Sequence, residues 1–317
     1  MKYTAECGMR YGTLLIRYRL HWGKINNQLT GIRSQDTGIG IILMNDYVGI
    51  AIVVSLFAIA AGIIIYFKIK TARRKARRKE ILHKLFSAEW DEILKKNLPP
   101  YTVLPSELRK ELQGFIQIFI DEKTFEGCGG IELNNEIRVT IAAQACLLLL
   151  NRQSDCYPRL KTVLVYPGAY FDQHHDDLAS SGVRLGESWG SGIVVLSWDH
   201  VKGGAVNFRD GHNVAIHEFA HQLDQEDGVS DGTPCLENRS AYSGWARVLS
   251  RDYETLRKKA GKGRKSVMDK YGATNPAEFF AVATETFFEK PRQLHKKHPD
   301  LYQELKEYYK MDPLGWQ

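Results

Sequence analysis

The sequence predicts an α+β domain standing behind a single membrane-spanning helix. Three observations predict it: an uncharged run of 21 residues from Tyr47 to Phe67, two short β-branched runs closed by turn formers, and helical patterning over most of the chain beyond Val214. Helices flanking a small sheet form the α+β pattern. With 317 residues, 44% of them hydrophobic, the chain has enough material for one or two domains with a sizeable core.

Residues 1–43 show no clear periodicity, and 1–46 form a poorly defined N-terminal extension; Met44 is a second candidate start of translation. The run YVGIAIVVSLFAIAAGIIIYF, 47–67, has the length a helix needs to cross a hydrocarbon core of about 30 Å. Tyr47 and Tyr66 sit at its two ends, where aromatic side chains favour the interface. Residues 68–79, KIKTARRKARRK, carry eight basic residues and no acid. Positive charge is retained on the cytoplasmic side, so the expected topology is single-pass in the inner (cytoplasmic) membrane, with the C-terminal domain in the cytoplasm. A cleaved signal peptide carries its positive charges before the apolar stretch, which excludes that reading.

The net charge of +6 is uneven. Residues 80–317 hold 29 basic and 34 acidic side chains, so the globular part is mildly acidic and offers no basic face for direct nucleic-acid binding. The basic cluster is better explained by topology and anionic-lipid contact. Five cysteines (Cys7, Cys128, Cys146, Cys156 and Cys235) form no CxxC pair, which argues for a reducing compartment rather than a disulfide framework.

Along the globular part, Ile81-Leu82, Leu85-Phe86, Trp90 and Ile93-Leu94 describe one helical stripe that ends before Pro99-Pro100. A second helix is expected over about Ser106 to Asp121. Gly127, Gly129 and Gly130 mark a turn, and 137–150 reads as a buried helix. Thr162–Tyr166 and Gly192–Trp198 read as strands, separated by the polar loop Asp172–Asp177. The Gly192–Trp198 run is expected to be an edge strand able to pair with an extended peptide.

The chemistry concentrates at His217-Glu218-Phe219-Ala220-His221. Histidines at i and i+4 leave one face of a helix together, so both imidazoles can reach one ion, and the intervening Glu218 is placed to take a proton from an attacking water. Asn213 is the expected N-cap. A catalytic zinc site keeps three protein ligands and one open position. By spacing, two carboxylates compete for the third place: Asp224, at i+7 on the same face, and Glu278, at the start of an otherwise apolar helix where an unpaired acid is costly.

Over nearly all of 80–317 the chain resembles the zinc-dependent peptidase family of Mlc titration factor A. The resemblance is carried by Ile141–Cys146, Val165-Tyr166-Pro167, Ser188-Trp189, Asn213 with His217-Glu218, His221 and Leu223-Asp224, and Ala277–Ala281. The second half is also similar to the protease domain of anthrax lethal factor, through His217–His221 and Tyr271–Ala281. The resemblance implies a zincin-like (gluzincin) metallopeptidase fold with an N-terminal helical part and one Zn2+ held by His217, His221 and Glu278. It further implies a hydroxyl from Tyr271 for the developing oxyanion, and Asp224 as a residue behind the ligands. The organisation expected is an extension over 1–46, a span over 47–67, a basic juxtamembrane segment over 68–79 and a metallopeptidase domain over 80–317. Residues 1–79, with the span, are an addition to the family's soluble pattern. Some members also carry a plugging histidine where this chain has Leu178; here His174 and His175 are the nearest imidazoles. The expected partners are a peptide or protein substrate and, as an alternative function, a transcriptional repressor that the domain binds and sequesters.

Overall fold

The computed structural model describes residues 37–152, 155–171, 183–184, 186–189 and 192–316. Contacts divide the chain into two compact units, Met1–Arg74 and Lys75–Gln317. Helix α1, Thr37–Leu82, contains the apolar run. Its stretch Tyr47–Leu82 is long and apolar enough to cross a membrane by length and composition, and none of its most apolar window is buried. Phe57 is 73% exposed, and the residues around it are alike. Water solvates such a surface poorly, at about 25 cal/mol for each Å² left wet.

The stripe running from Ile81 to Leu94 is not one helix. The chain leaves α1 at Leu82, turns through 83–87 and re-enters helix as α2, Ala88–Asn97. Helix α3, Pro99–Val103, begins with the two prolines that end α2. Helix α4, Ser106–Glu122, buries Leu112, Ile116 and Phe119, the i, i+4, i+7 stripe of an amphipathic helix. At the end of α1, Arg78 pairs with Glu122 on α4 at 2.6 Å and with Asp155 at 2.8 Å, and Arg77 meets Asp121. Helix α5, Asn135–Leu147, is capped by Asn134, whose side chain accepts from the Ile137 N–H, and ten of its residues are buried.

Among the described residues the strands, in chain order, are β1 Thr124–Gly127, β2 Thr162–Tyr166, β3 Tyr170–Phe171, β4 Val183–Arg184, β5 Gly186–Trp189 and β6 Ile193–Ser197. The main sheet has the order β1-β2-β6-β5, and β3 pairs with β4 apart from it. The β1–β2 and β2–β6 pairings are parallel, while β5 runs antiparallel to β6 with Ser188 opposite Val194. The Gly192–Trp198 run is therefore interior. Among the described residues the sheet ends on β1 at one side and on β5 at the other, and the sequence presents β5 only as the Ser188-Trp189 pair. Trp198 leaves the strand and opens helix α6, Trp198–Val206.

The remaining helices are α7 Val214–Asp224, α8 Ala241–Gly261, α9 Pro276–Glu289, α10 Pro291–Lys297 and α11 Pro299–Tyr309. Helix α7 packs on α9, on α5 and on strands β5 and β6, which places it at the centre of the domain. The Lys75–Gln317 unit is thus a mostly helical α+β domain, with one hydrophobic core running from Leu94 through Phe219 to Tyr309.

Candidate metal centre

Helix α7 starts where the sequence says it should. Asn213 is the N-cap, in extended conformation, and its side-chain oxygen accepts from the Ile216 N–H at 3.0 Å. Ala215, Ile216, Phe219, Ala220 and Leu223 are buried, so the helix is held by apolar packing while His217 and His221 look toward α9.

Helix α9 supplies the carboxylate. Its N-cap, Asn275, accepts from the Glu278 N–H at 2.9 Å, which fixes the first turn and the direction of Glu278. The carboxylate then lies 2.9 Å from His217 Nε2 and 3.4 Å from His221 Nε2, and the two Nε2 atoms are 3.2 Å apart. Among the described residues, His217, His221 and Glu278 form a metal-competent cluster with one ligand atom each. Asp224 stands outside it. Its Oδ2 accepts from the Gly232 N–H at 2.9 Å and from the Ser230 hydroxyl, so the acid closes the turn after α7. Gly232, at φ +78°, lies so close to Pro276 that a Cβ would meet its carbonyl oxygen at 2.4 Å. Asp224 thereby holds a turn that packs against the first residue of α9.

Behind the cluster, Glu285 receives His217 Nδ1 on Oε1 at 2.7 Å and the Asn213 N–H on Oε2 at 2.6 Å. Four residues on, Glu289 accepts from the Gly211 N–H and the Asn213 side-chain amide. Sequence reading passed over both acids. The signal was present, because acids seven and eleven positions after Glu278 in an otherwise apolar helix need buried partners.

A carboxylate accepts and does not donate, so the bond to Glu285 leaves the proton of a neutral His217 on Nδ1 and its lone pair on Nε2. That lone pair faces the Glu278 oxygen and a second imidazole nitrogen, an arrangement that repels unless positive charge sits among them. Burial disfavours a charged His217, yet Glu278 and Glu285 outweigh it and lift its pKa well above the usual imidazole range; the nearby Glu218 charge adds to the pull. Burial likewise opposes ionisation of Glu278, but the two imidazoles hold its pKa at about 2. The donor set fits a divalent ion in spacing as well as charge. A tetrahedral ion with bonds of about 2.0–2.1 Å separates its ligand atoms by about 3.3 Å.

Glu218 is buried on α7. Tyr271 lies in the Asp269-capped 3-10 turn Lys270–Ala273, is 54% exposed, and sets its ring 5.9 Å from that of His217. His174, His175 and Leu178 lie outside the described residues.

This geometry is joined by sequence comparison. Residues 72–310 match the family model described as glucose-regulated metallo-peptidase M90. The uncharacterized protein slr2042 of Synechocystis sp. is 42% identical over 247 residues, covering 75% of this chain and 89% of that protein. Mlc titration factor A of Serratia proteamaculans is 32% identical, covering 72% and 88%, and that of Escherichia coli is 30% identical, covering 71% and 86%. The domain is of the metallopeptidase class. The chain belongs to the metallo-peptidase M90 family, together with Mlc titration factor A.

Proposed function

We propose that the protein is a membrane-anchored zinc peptidase of zincin-like (gluzincin) fold. The observation that carries this reading is the convergence of His217, His221 and Glu278 on one point, with Glu218 on the same helix. These three residues would hold the zinc. When bound, the ion supplies Lewis acidity for the scissile carbonyl and lowers the pKa of a water. Glu218 accepts the proton from the attacking water and passes it toward the leaving amine, general acid–base work worth about 10²–10⁴-fold. The Tyr271 hydroxyl donates to the oxyanion as it develops. Strand β5, an antiparallel edge packed beside α7, is the surface on which an extended peptide adds a strand.

The anchor reading rests on the exposed apolar face of α1, with the span over 47–67, the basic segment over 68–79 and the peptidase domain over 80–317 facing the cytoplasm. Zinc analysis and a peptide-hydrolysis assay on the full chain in detergent, wild type beside Glu218→Gln, test the chemistry. The expected result is one zinc in each protein and turnover in the wild type alone. Turnover that survives Glu218→Gln, or no bound zinc in the wild type, sinks the reading.

A second reading follows from the relatives' name, Mlc titration factor A: this domain binds and sequesters a transcriptional repressor. In that case Glu218→Gln leaves repressor binding intact and turnover is absent from both proteins.

A further inference from the structure

Glu278, Glu285 and Glu289 share one stripe of α9. At about 100° per residue, spacings of seven and eleven bring the three carboxylates within about 40° of one another on the helix. All three point their chemistry at the same short stretch of chain, Gly211 to His221. Glu278 meets the two imidazoles, Glu285 meets His217 Nδ1 and the Asn213 N–H, and Glu289 meets the Gly211 N–H and the Asn213 side-chain amide. The two oxygens of Glu285 thus have different duties: one grips a candidate ligand ring, the other the first turn of the helix that carries it. Glu285 is 6% exposed and Glu289 1% exposed, so water competes little for these bonds.

The second imidazole is held differently. His221 Nδ1 is buried with no hydrogen-bond partner among the described residues. Orientation of the pair therefore rests on the His217 side.

We infer that Glu285 is a positioning residue for the metal, holding His217 as its Nδ1–H tautomer with the Nε2 lone pair turned into the cluster, and that Glu289 secures the entry turn of α7, which Glu285 also grips at the Asn213 N–H. The inference rests on the zinc-peptidase reading. A merely structural role would predict that Glu285 fastens α7 to α9 and does nothing for the ion. The two roles separate in metal affinity and in the His217 proton.

The test uses the full chain in detergent, with zinc affinity read by chelator competition and the His217 ring read by NMR on protein carrying ¹⁵N-labelled histidine. In the wild type, a His217 Nδ1 proton sheltered from exchange is expected. Glu285→Ala loses that resonance and weakens zinc by about 10–100-fold, the usual cost of removing a partner behind a metal ligand. Glu285→Gln keeps the shape and an acceptor oxygen, so it retains the resonance at a shifted position and loses less affinity; it decides the matter if the alanine variant does not fold. Folding of each metal-free variant is checked by its unfolding midpoint. If the folded variants bind zinc as tightly as the wild type, the inference is overturned while the zinc-peptidase reading stands. If the wild type itself binds no zinc, both fall together.

Discussion

Helices α1 and α9 look alike as strings of apolar residues and meet opposite surroundings. From 47 to 67, α1 has no charge and buries nothing, whereas α9 buries twelve of its fourteen residues. Helix α9 carries three glutamates, and each has found a partner on α7 or its entry turn. The difference teaches that apolar composition reports only the exclusion of water. Charge decides what does the excluding, because a carboxylate enters an apolar setting only where donors await it.

The same substitution in the two helices sharpens the contrast. Phe280 is fully buried among Trp245 and Tyr308, so Phe280→Ala is expected to cost about 3–5 kcal/mol in urea unfolding of the domain. Phe57→Ala is expected to leave that unfolding within about 0.5 kcal/mol. Equal effects would erase the distinction.

Acidity tests α9 next. Burial is the main force that lifts the Glu289 pKa to about 8, against the bonds it accepts. A raised carboxyl pKa means that the folded state binds the proton more tightly than the unfolded chain. Its contribution is therefore full below the unfolded value near 4.5, declines as pH rises, and has gone once pH passes about 8. Glu289→Gln is expected to flatten that decline, by a few kcal/mol, when denaturation midpoints are measured across pH 4–9. An unchanged slope would show that other groups set it.

For α1, Leu56→Arg places a charge in the middle of the apolar run and is expected to cost about 2.5–3.5 kcal/mol of insertion. Resistance to alkaline extraction from membranes should fall; full retention would contradict the anchor. Among the substitutions expected to weaken the protein, the mildest lies at the joint between α7 and α9. Gly232→Ala forces a side chain onto φ +78° and against the Pro276 carbonyl, for about 1–2 kcal/mol in thermal unfolding.

What could be read beforehand follows the range of the interactions involved. His217, Glu218 and His221 declare themselves because one helical turn joins them, and Glu278 because an acid opening an apolar helix is conspicuous. Glu285 and Glu289 signal by the same token that they need buried partners, but those partners stand 68 to 78 residues away and no local pattern says which they are. Strand β1 was missed for a related reason: of its four residues only Phe125 is buried, so it shows no alternation. The break at 83–87 was hidden by apolar residues that keep a helical spacing across it. Spacing alone left Asp224 and Glu278 as rivals, and only the fold reveals that Asp224 is occupied by Gly232.

Two arginines carry a practical consequence. Arg77 and Arg78 belong by sequence to the basic cluster, but their guanidinium groups neutralise Asp121, Glu122 and Asp155. A soluble fragment begun at Glu80 would remove the two guanidinium groups that pair with Asp121, Glu122 and Asp155 and fasten the end of α1 to the domain. Such a fragment should open no later than Lys75, so that poor behaviour on trimming is not mistaken for a need for lipid.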